Sequence, residues 1–390
     1  MHQYMFDFIE RDLAATLLDA SQYFPVLCVT GPRQSGKSTL IKHIFNGYRR
    51  FTLEDYDVRS MAQNDPLGFL NQTNGGMIID EVQRVPELLS YIQGIVDDRP
   101  ERRFVLSGSS NFLLLKTVSQ SLAGRAGVFE LLPMSLSEAK EAYAEKTLDE
   151  IIYNGCFPAV CAGKNVAKYL YPAYTKTYID KDLRQLININ NLSQFHTFLR
   201  LCAARIGSIF NASELAGEVG VASNTINAWV SVLEASYIIM RLQPWSENSR
   251  KRLTKSPKLY FCDTGLACHL LDIESPEQLS RDKMRGHLFE NLIVMEALKQ
   301  RYNKGKESNI FFFRDAKGNE IDLLIREAGE LKAIEIKSSQ TYAPSFEDVL
   351  KKTDSLLTTP VSKRAVVYAG NMENAAADIA LLNYRNFCSL

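Results

Sequence analysis

Short apolar runs alternate with amphipathic stretches along the first part of the chain, and each strand-like run ends in polar or charged residues. In "FPVLCVTGPRQSGKSTLIKHIF" the run Val26 to Thr30 reads as a buried strand, and Leu40, Ile41, Ile44 and Phe45 behind it recur at helical spacing. "GGMIIDEVQRVPELLSYIQ" holds a second run, Met77 to Ile79, that ends in Asp80 and Glu81. A third, in "RRFVLSGSSNFLLL", ends in Ser107, Ser109, Ser110 and Asn111. Uninterrupted apolar strands of this kind belong in a buried parallel sheet. Farther on, "NASELAGEVGVASNTINAWVSVLEASYIIMRL" predicts a helix-turn-helix: Leu215, Ala216 and Val219 lie on a short helix, Gly220 marks the turn, and the Ser223 hydroxyl caps a second helix. Ile226, Trp229, Val230 and Leu233 of that second helix face a core. The last part reads as helix, three strands, helix and strand, beginning at "RGHLFENLIVMEALKQRY". There "IDLLIREAGELKAIEIKSS" forms two strands around a turn at Gly329, and alternation puts Glu335 and Lys337 on one face.

At 390 residues the chain exceeds one ordinary core, so two or three domains are expected. Lys plus Arg (45) equals Asp plus Glu (45), which leaves no global field to draw the protein to polyanions. A nucleic-acid surface must then be a local patch. The seven cysteines are scattered without a CxxC pair or a ligand-like pairing with His, which favours a reducing compartment over a disulfide framework or a zinc site. The charged, helical N-terminus "MHQYMFDFIERDLAATLL" lacks a signal layout, and no run approaches the ~18 apolar residues of a membrane span. These features point to a soluble, cytoplasmic protein with no membrane partner.

The first strand leads into Gly31-x-x-x-x-Gly36-Lys37-Ser38 and then a helix, the context a phosphate loop requires. Its glycines let backbone N–H groups wrap a phosphate, and the helix N-terminus adds its positive end. Gly31, Pro32, Arg33, Gln34, Ser35, Gly36, Lys37, Ser38 and Thr39 are the expected ATP-binding residues, with Lys37 on the β- and γ-phosphates and Ser38 on Mg²⁺. Asp80 is placed to hold Mg²⁺ through water, and Glu81 to orient the attacking water. Ser109 and Asn111 are candidate sensors beside the γ-phosphate, because ligands sit outside the carboxyl ends of parallel strands. Arg125, in the Gly-flanked loop of "SQSLAGRAGVFELLPMS", can reach a neighbouring subunit's γ-phosphate.

In this order, "GPRQSGKS", "IIDE", polar strand end and arginine resemble the AAA+ class of P-loop ATPases over roughly residues 20 to 165. That resemblance implies a homo-oligomer, the ring being the standard form. The expected lid, "SLSEAKEAYAEKTLDEIIYNGCFPAV", departs from the class in offering no second sensor arginine. In the middle segment Ser223, Asn224, Thr225 and Asn227 sit at the start of a would-be recognition helix. Arg250, Lys251, Arg252, Lys255 and Lys258 then cluster without an intervening acid, as a phosphate-contacting wing would. Together with "YIDKDLRQLININNLSQFHTFLRLCAARIGSIF", "KRLTKSPKLYFCDTGLACHLL" and "IIDEVQRVPELL", these stretches resemble a widespread prokaryotic family that joins an AAA+ module to a C-terminal region of unknown function.

In the last part Glu290 lies on the helix, Asp322 on the second strand, and Glu335 and Lys337 on the third. Carboxylates with a lysine can bind a divalent metal and activate water against a phosphodiester. The arrangement resembles the restriction-endonuclease-like core with its Asp…Glu-x-Lys signature, which implies Mg²⁺ or Mn²⁺ held by Glu290, Asp322 and Glu335, with Asp322, Glu335 and Lys337 in catalysis. The expected fold class is α/β: an AAA+-like P-loop module (1–165), a winged-helix module (166–275) and a restriction-endonuclease-like module (276–390). The leading expectation is an ATP-hydrolysing, Mg²⁺-dependent protein acting on DNA. The alternative is an ATP-switched regulator or scaffold whose C-terminal modules bind DNA or protein without cleavage.

Overall fold

The computed structural model describes residues 8–109, 121–163, 166–183, 191–246 and 256–389. Strands β1 (Val26–Thr30), β2 (Arg49–Thr52), β3 (Met77–Asp80), β4 (Phe104–Gly108) and β5 (Ala126–Glu130) form one parallel sheet in the order β2-β3-β4-β1-β5. β1, β3 and β4 are buried on both faces, as their uninterrupted apolar runs require. One face packs the Leu88–Asp98 helix through Leu88, Leu89 and Ile92, and the other packs Leu40 and Ile41 of the Lys37–Ile44 helix. Strand order has a direct consequence for chemistry. Register pairs Asp80 with Ser107 and Val29 with Ser107, so the ends of β3, β4 and β1 bring their polar tips side by side.

The expected pair of helices is present at Ala212–Val219 and Ser223–Ala235, separated by Gly220 in the left-handed region at φ 77°. The capping expectation fails: the second helix has no side-chain cap, and the Ser223 hydroxyl instead donates to Ser213 Oγ at 3.4 Å. An antiparallel ribbon of β6 (Ile239–Leu242) and β7 (Lys258–Phe261) follows. Arg250, Lys251, Arg252 and Lys255, which lie between these strands in the sequence, fall outside the described residues, as do Ser110 and Asn111.

A 19-residue helix, Arg285–Asn303, leads into a second, mixed sheet of β8 (Ile310–Arg314), β9 (Glu320–Glu327), β10 (Glu330–Lys337), β11 (Val361–Tyr368) and β12 (Ile379–Asn383). β8, β9 and β10 pair antiparallel, whereas β10, β11 and β12 pair parallel. The helix expected between the third and fourth strands shrinks to 3₁₀ turns and the single turn Thr353–Leu356, and β12 is an addition.

The long helix is stitched to the first unit by buried polar contacts. Glu296 Oε2 accepts from Leu136 N at 2.8 Å, and Lys299 Nζ donates to the Met134 carbonyl at 2.8 Å and to Glu296 Oε1 at 3.0 Å. The largest apolar cluster runs from Leu132 through the middle segment and the long helix to Phe387. A further buried link joins the middle segment to β1: Tyr237 and Thr30 share a hydroxyl hydrogen bond of 2.7 Å, one residue ahead of Gly31. Among the described residues no helix is long and apolar enough to cross a membrane.

Candidate functional site

The phosphate loop is built by close backbone approach. Gly31 adopts φ 148°, and a methyl group there would meet the Leu131 carbonyl oxygen at 2.2 Å. Arg11, almost fully buried, fixes the loop from outside: it donates to the Ser35 carbonyl at 2.8 Å and the Leu132 carbonyl at 2.8 Å, and pairs with Glu138 at 3.0 Å. Lys37 is folded onto its own loop, donating to the Gly31 carbonyl at 2.9 Å and the Pro32 carbonyl at 2.7 Å. Burial pushes its ammonium down to about 8, against the opposing pull of Glu81 and Asp80. Arg33 pairs with Glu54 at 3.2 Å and stands over the Tyr178 ring at 5.7 Å, while Gln34 and Thr39 face solvent.

Asp80 receives Ser107 Oγ at 2.5 Å on one oxygen and Arg50 at 3.1 Å on the other, with the Ser38 hydroxyl also bonded to it. Burial alone would raise its carboxyl, but those three donors outweigh burial and hold it below the usual range. Glu81 sits in the left-handed region at φ 56°, and its carboxylate accepts from Ser109 at 3.2 Å and from Gln83. A non-glycine residue in that region is sparsely populated backbone, of the kind retained at functional sites.

Lys37, Ser38, Thr39, Gln34 and Glu81 line a cavity of about 390 Å³ whose far wall is Phe8, Ile9, Met134, Pro158, Ala159 and Ala162. That apolar wall beside a phosphate cradle suits a flat heterocyclic base. The residues fit a bound polyphosphate: Ser35 Oγ is buried without a hydrogen-bond partner, and Lys37 holds loop carbonyls that phosphate oxygens can replace. Ser38 and Asp80 fit a Mg²⁺ ion that takes its remaining ligands from phosphate and water.

Arg125 stands apart. It precedes β5 at the amino end of the sheet, where its carbonyl accepts from Val26 N, and it makes two bonds to Asp97 at 2.6 and 2.9 Å. A five-residue strand separates it from the loop after Thr30, roughly 13 Å at the rise of an extended chain, so it cannot serve its own pocket.

The second sheet gathers another charged group. Lys337 Nζ lies 2.5 Å from Glu335 Oε1 and 3.9 Å from Asp322 Oδ2, and Asp322 Oδ2 also accepts from Ile336 N at 2.8 Å. Burial, and then the charge of Glu290, push Asp322 above the ordinary carboxylate range; burial, and then Asp322, do the same to Glu335. Glu335 Oε2 is buried without a hydrogen-bond partner. Asp322, Glu335 and Lys337 therefore converge as expected, and the orphaned oxygen fits a cation. Glu290 is engaged elsewhere, on Lys258 at 3.0 Å and Tyr260 at 2.5 Å. Among the described residues no three His, Cys, Asp or Glu side chains come close enough together to hold a metal.

Lys258 overturns its expected place on a DNA-contacting wing. It lies in the wholly buried β7, is 2% exposed, and pairs with Glu290 and with Glu320 at 2.6 Å. Of the recognition-helix candidates, Asn224 and Asn227 are exposed and Ser223 and Thr225 half-buried. Sequence reasoning missed Arg50, Arg11, Glu320 and Tyr260. A signal existed for the Lys258 environment, since "KLYF" is an apolar strand interrupted once.

The family described as "AAA domain" matches residues 23–140, and two domains of unknown function, DUF8612 and DUF4143, match 145–277 and 285–387. The uncharacterized protein Rv2008c of Mycobacterium tuberculosis is 30% identical over 365 residues, spanning 92% of this chain and 80% of that one. The uncharacterized protein MJ1544 of Methanocaldococcus jannaschii is 24% identical over 352 residues, 81% of this chain and 75% of that one. Among solved structures, the Walker-type ATPase PABY2304 of Pyrococcus abyssi aligns at 15% identity and TM-score 0.44, over 68% of this chain and 97% of that one. The N-terminal unit is an AAA-type P-loop module, and the C-terminal unit a mixed sheet.

Proposed function

The chain belongs to the family of the mycobacterial protein Rv2008c, and on that footing we propose that it is a Mg²⁺-dependent ATPase whose nucleotide cycle drives work on DNA. The ATPase reading is carried by one observation: Lys37, Ser38, Asp80 and Glu81 meet at the carboxyl edge of a single parallel sheet, around a loop whose Ser35 hydroxyl has no partner. On ATP binding, Lys37 exchanges its two loop carbonyls for β- and γ-phosphate oxygens, and Arg50 gives up Asp80. Bound Mg²⁺ would supply charge neutralisation on the phosphates. Glu81, steadied by Ser109 and Gln83, orients the water whose oxygen attacks the γ-phosphorus while the bond to the bridging oxygen breaks. Arg125, too far from its own loop, acts on the nucleotide of a neighbouring copy in a homo-oligomer.

Two substitutions test the assignment. Lys37→Ala removes nucleotide binding, because the phosphate charge loses its partner. Glu81→Gln retains ATP affinity and slows hydrolysis by roughly 10²- to 10⁴-fold, the range of one positioned general base. Fluorescent-nucleotide titration and phosphate release read the two effects separately, and equal loss of ATP affinity in both variants would refute these roles.

A second reading concerns the C-terminal sheet, and the unpartnered Glu335 oxygen beside Asp322 and Lys337 favours it. There Asp322 and Glu335 hold Mg²⁺ or Mn²⁺, Lys337 serves the attacking water, and a DNA phosphodiester is cut. The exposed Asn224 and Asn227 support DNA as the polymer. DNA-stimulated ATP hydrolysis, with DNA products followed in parallel, separates this machine from an ATP-switched scaffold, which binds DNA without cutting it.

A further inference from the structure

The carboxylate corner holds four acids and two lysines, and the lysines divide it. On β9, Glu320 and Asp322 are two residues apart and share one face. Asp322 belongs with Glu335 and Lys337 of β10. Glu320 belongs with Lys258, whose ammonium lies 2.6 Å from Glu320 Oε1 and 3.0 Å from Glu290 Oε1. Lys258 comes from the β6–β7 ribbon rather than from the sheet or the helix that it neutralises. The ribbon is fixed to the second sheet by a bridge between Pro244 and Phe312, and the ammonium stands 5.5 Å from the Phe312 ring.

Glu290 is doubly claimed. Lys258 and Tyr260, two apart on β7 and so on one face, both reach the same oxygen, Oε1. Its other oxygen lies against the backbone of Gly207, where an added methyl group would stand 3.0 Å away. Without Lys258, Glu290 would keep only the Tyr260 hydroxyl and Glu320 only Arg314 at 3.5 Å, which leaves the corner with more carboxylate than cation and favours a bound cation there. We infer that Lys258 is a resident cation occupying the Glu290–Glu320 side of this corner, where it excludes a divalent metal, and that Glu290 becomes a metal ligand only when that ammonium is removed. The inference rests on the reading that Asp322 and Glu335 accept a metal, and it makes the corner a two-carboxylate, weakly binding site in the native chain.

The test is Mn²⁺ binding to the full-length protein without nucleotide, counting the part that Asp322→Asn abolishes. Lys258→Met should bind Mn²⁺ at least tenfold more tightly than the wild type, and adding Glu290→Gln should cancel that gain. With Lys258 in place, Glu290→Gln should leave Mn²⁺ affinity within twofold; a loss as large as that of Asp322→Asn overturns the inference. This arm does not depend on the folding of Lys258→Met. Lys258→Met/Glu320→Gln, with one fewer unpaired acid, should show the same gain where the single variant folds poorly. If the wild type binds Mn²⁺ through Asp322 but neither Lys258 variant tightens, the inference falls and the metal reading stands. If only the Lys258 variants bind, the inference stands and the native metal reading falls. If none binds, both fall.

Discussion

At the phosphate loop the cation resting on the key acid is a surface arginine; beside the second sheet, on Glu290 of the long helix, it is a lysine almost wholly out of water. The Arg50 side chain is 40% exposed where it meets Asp80, and that of Lys258 is 3% exposed where it meets Glu290. The two contacts are alike in length, 3.1 and 3.0 Å, but not in what breaking them costs. Water can take over the Arg50 guanidinium, so Asp80 is free to change partners with each nucleotide. Water cannot easily take over the buried Lys258 ammonium, and its loss leaves the part-buried Glu290 and Glu320 short of a cation. One centre is arranged for exchange, the other for permanence.

The comparison is sharpened most by asking whether each centre is complete in one chain. Arg125→Ala should bind ATP normally and hydrolyse it on the order of a thousandfold more slowly, as loss of an arginine acting between subunits does. Mixing it with Lys37→Ala should restore part of the rate, because one interface regains both groups. Full ATPase activity from a strictly monomeric protein would end this idea. The corner, by contrast, draws all its charged groups from one chain, and its behaviour should not change on mixing.

Next in size is the cost of removing the buried cation. Lys258→Met should lower stability by about 1–3 kcal/mol in chemical denaturation, since it takes a cation from two part-buried carboxylates, 13% and 29% exposed, that keep only Tyr260 and Arg314. A loss below about 1 kcal/mol would show that water, Tyr260 and Arg314 compensate Glu290 and Glu320 without it.

A smaller effect is expected at the seam between the regions. Glu130 pairs in register with Thr30, and burial, then the charge of Glu307, raise its carboxyl to about 7. The folded chain therefore holds a proton there that the unfolded chain releases. Its stabilisation is complete below the ordinary Glu range and is lost as pH rises through about 7. Glu130→Gln should flatten the fall in melting temperature between those limits, a slope of at most about 1.4 kcal/mol per pH unit. An unchanged pH profile would place Glu130 in open solvent. Smallest of all, Arg50→Ala should cost less than about 1 kcal/mol of stability while tightening Mg²⁺ binding to the nucleotide complex.

How much of this was legible depended on whether the residues were contiguous. The phosphate loop, Asp80 and Glu81 each follow a strand directly, so local pattern located them. Arg50 was invisible because its partner depends on β2 lying beside β3, and sheet order is not written in local periodicity. Glu335 and Lys337 were legible from alternation within one strand. Lys258 was misread because it was grouped with the basic residues before it; its own strand, buried at every position, assigned it to the interior. The apolar wall of the nucleotide cavity joins Phe8, Met134 and Pro158, which only the folded chain brings together.

The stitching of the long helix bears on how this protein can be taken apart. Glu296 and Lys299 supply the partners of Leu136 N and the Met134 carbonyl, and one apolar cluster spans Leu132 to Phe387. A fragment ending before that helix would keep the phosphate-loop residues but lose the partners of Leu136 and Met134. It would present a raw apolar face and two bare backbone groups to solvent. Such a piece would be prone to clump, and a missing ATPase signal from it would measure the cut, not the chemistry.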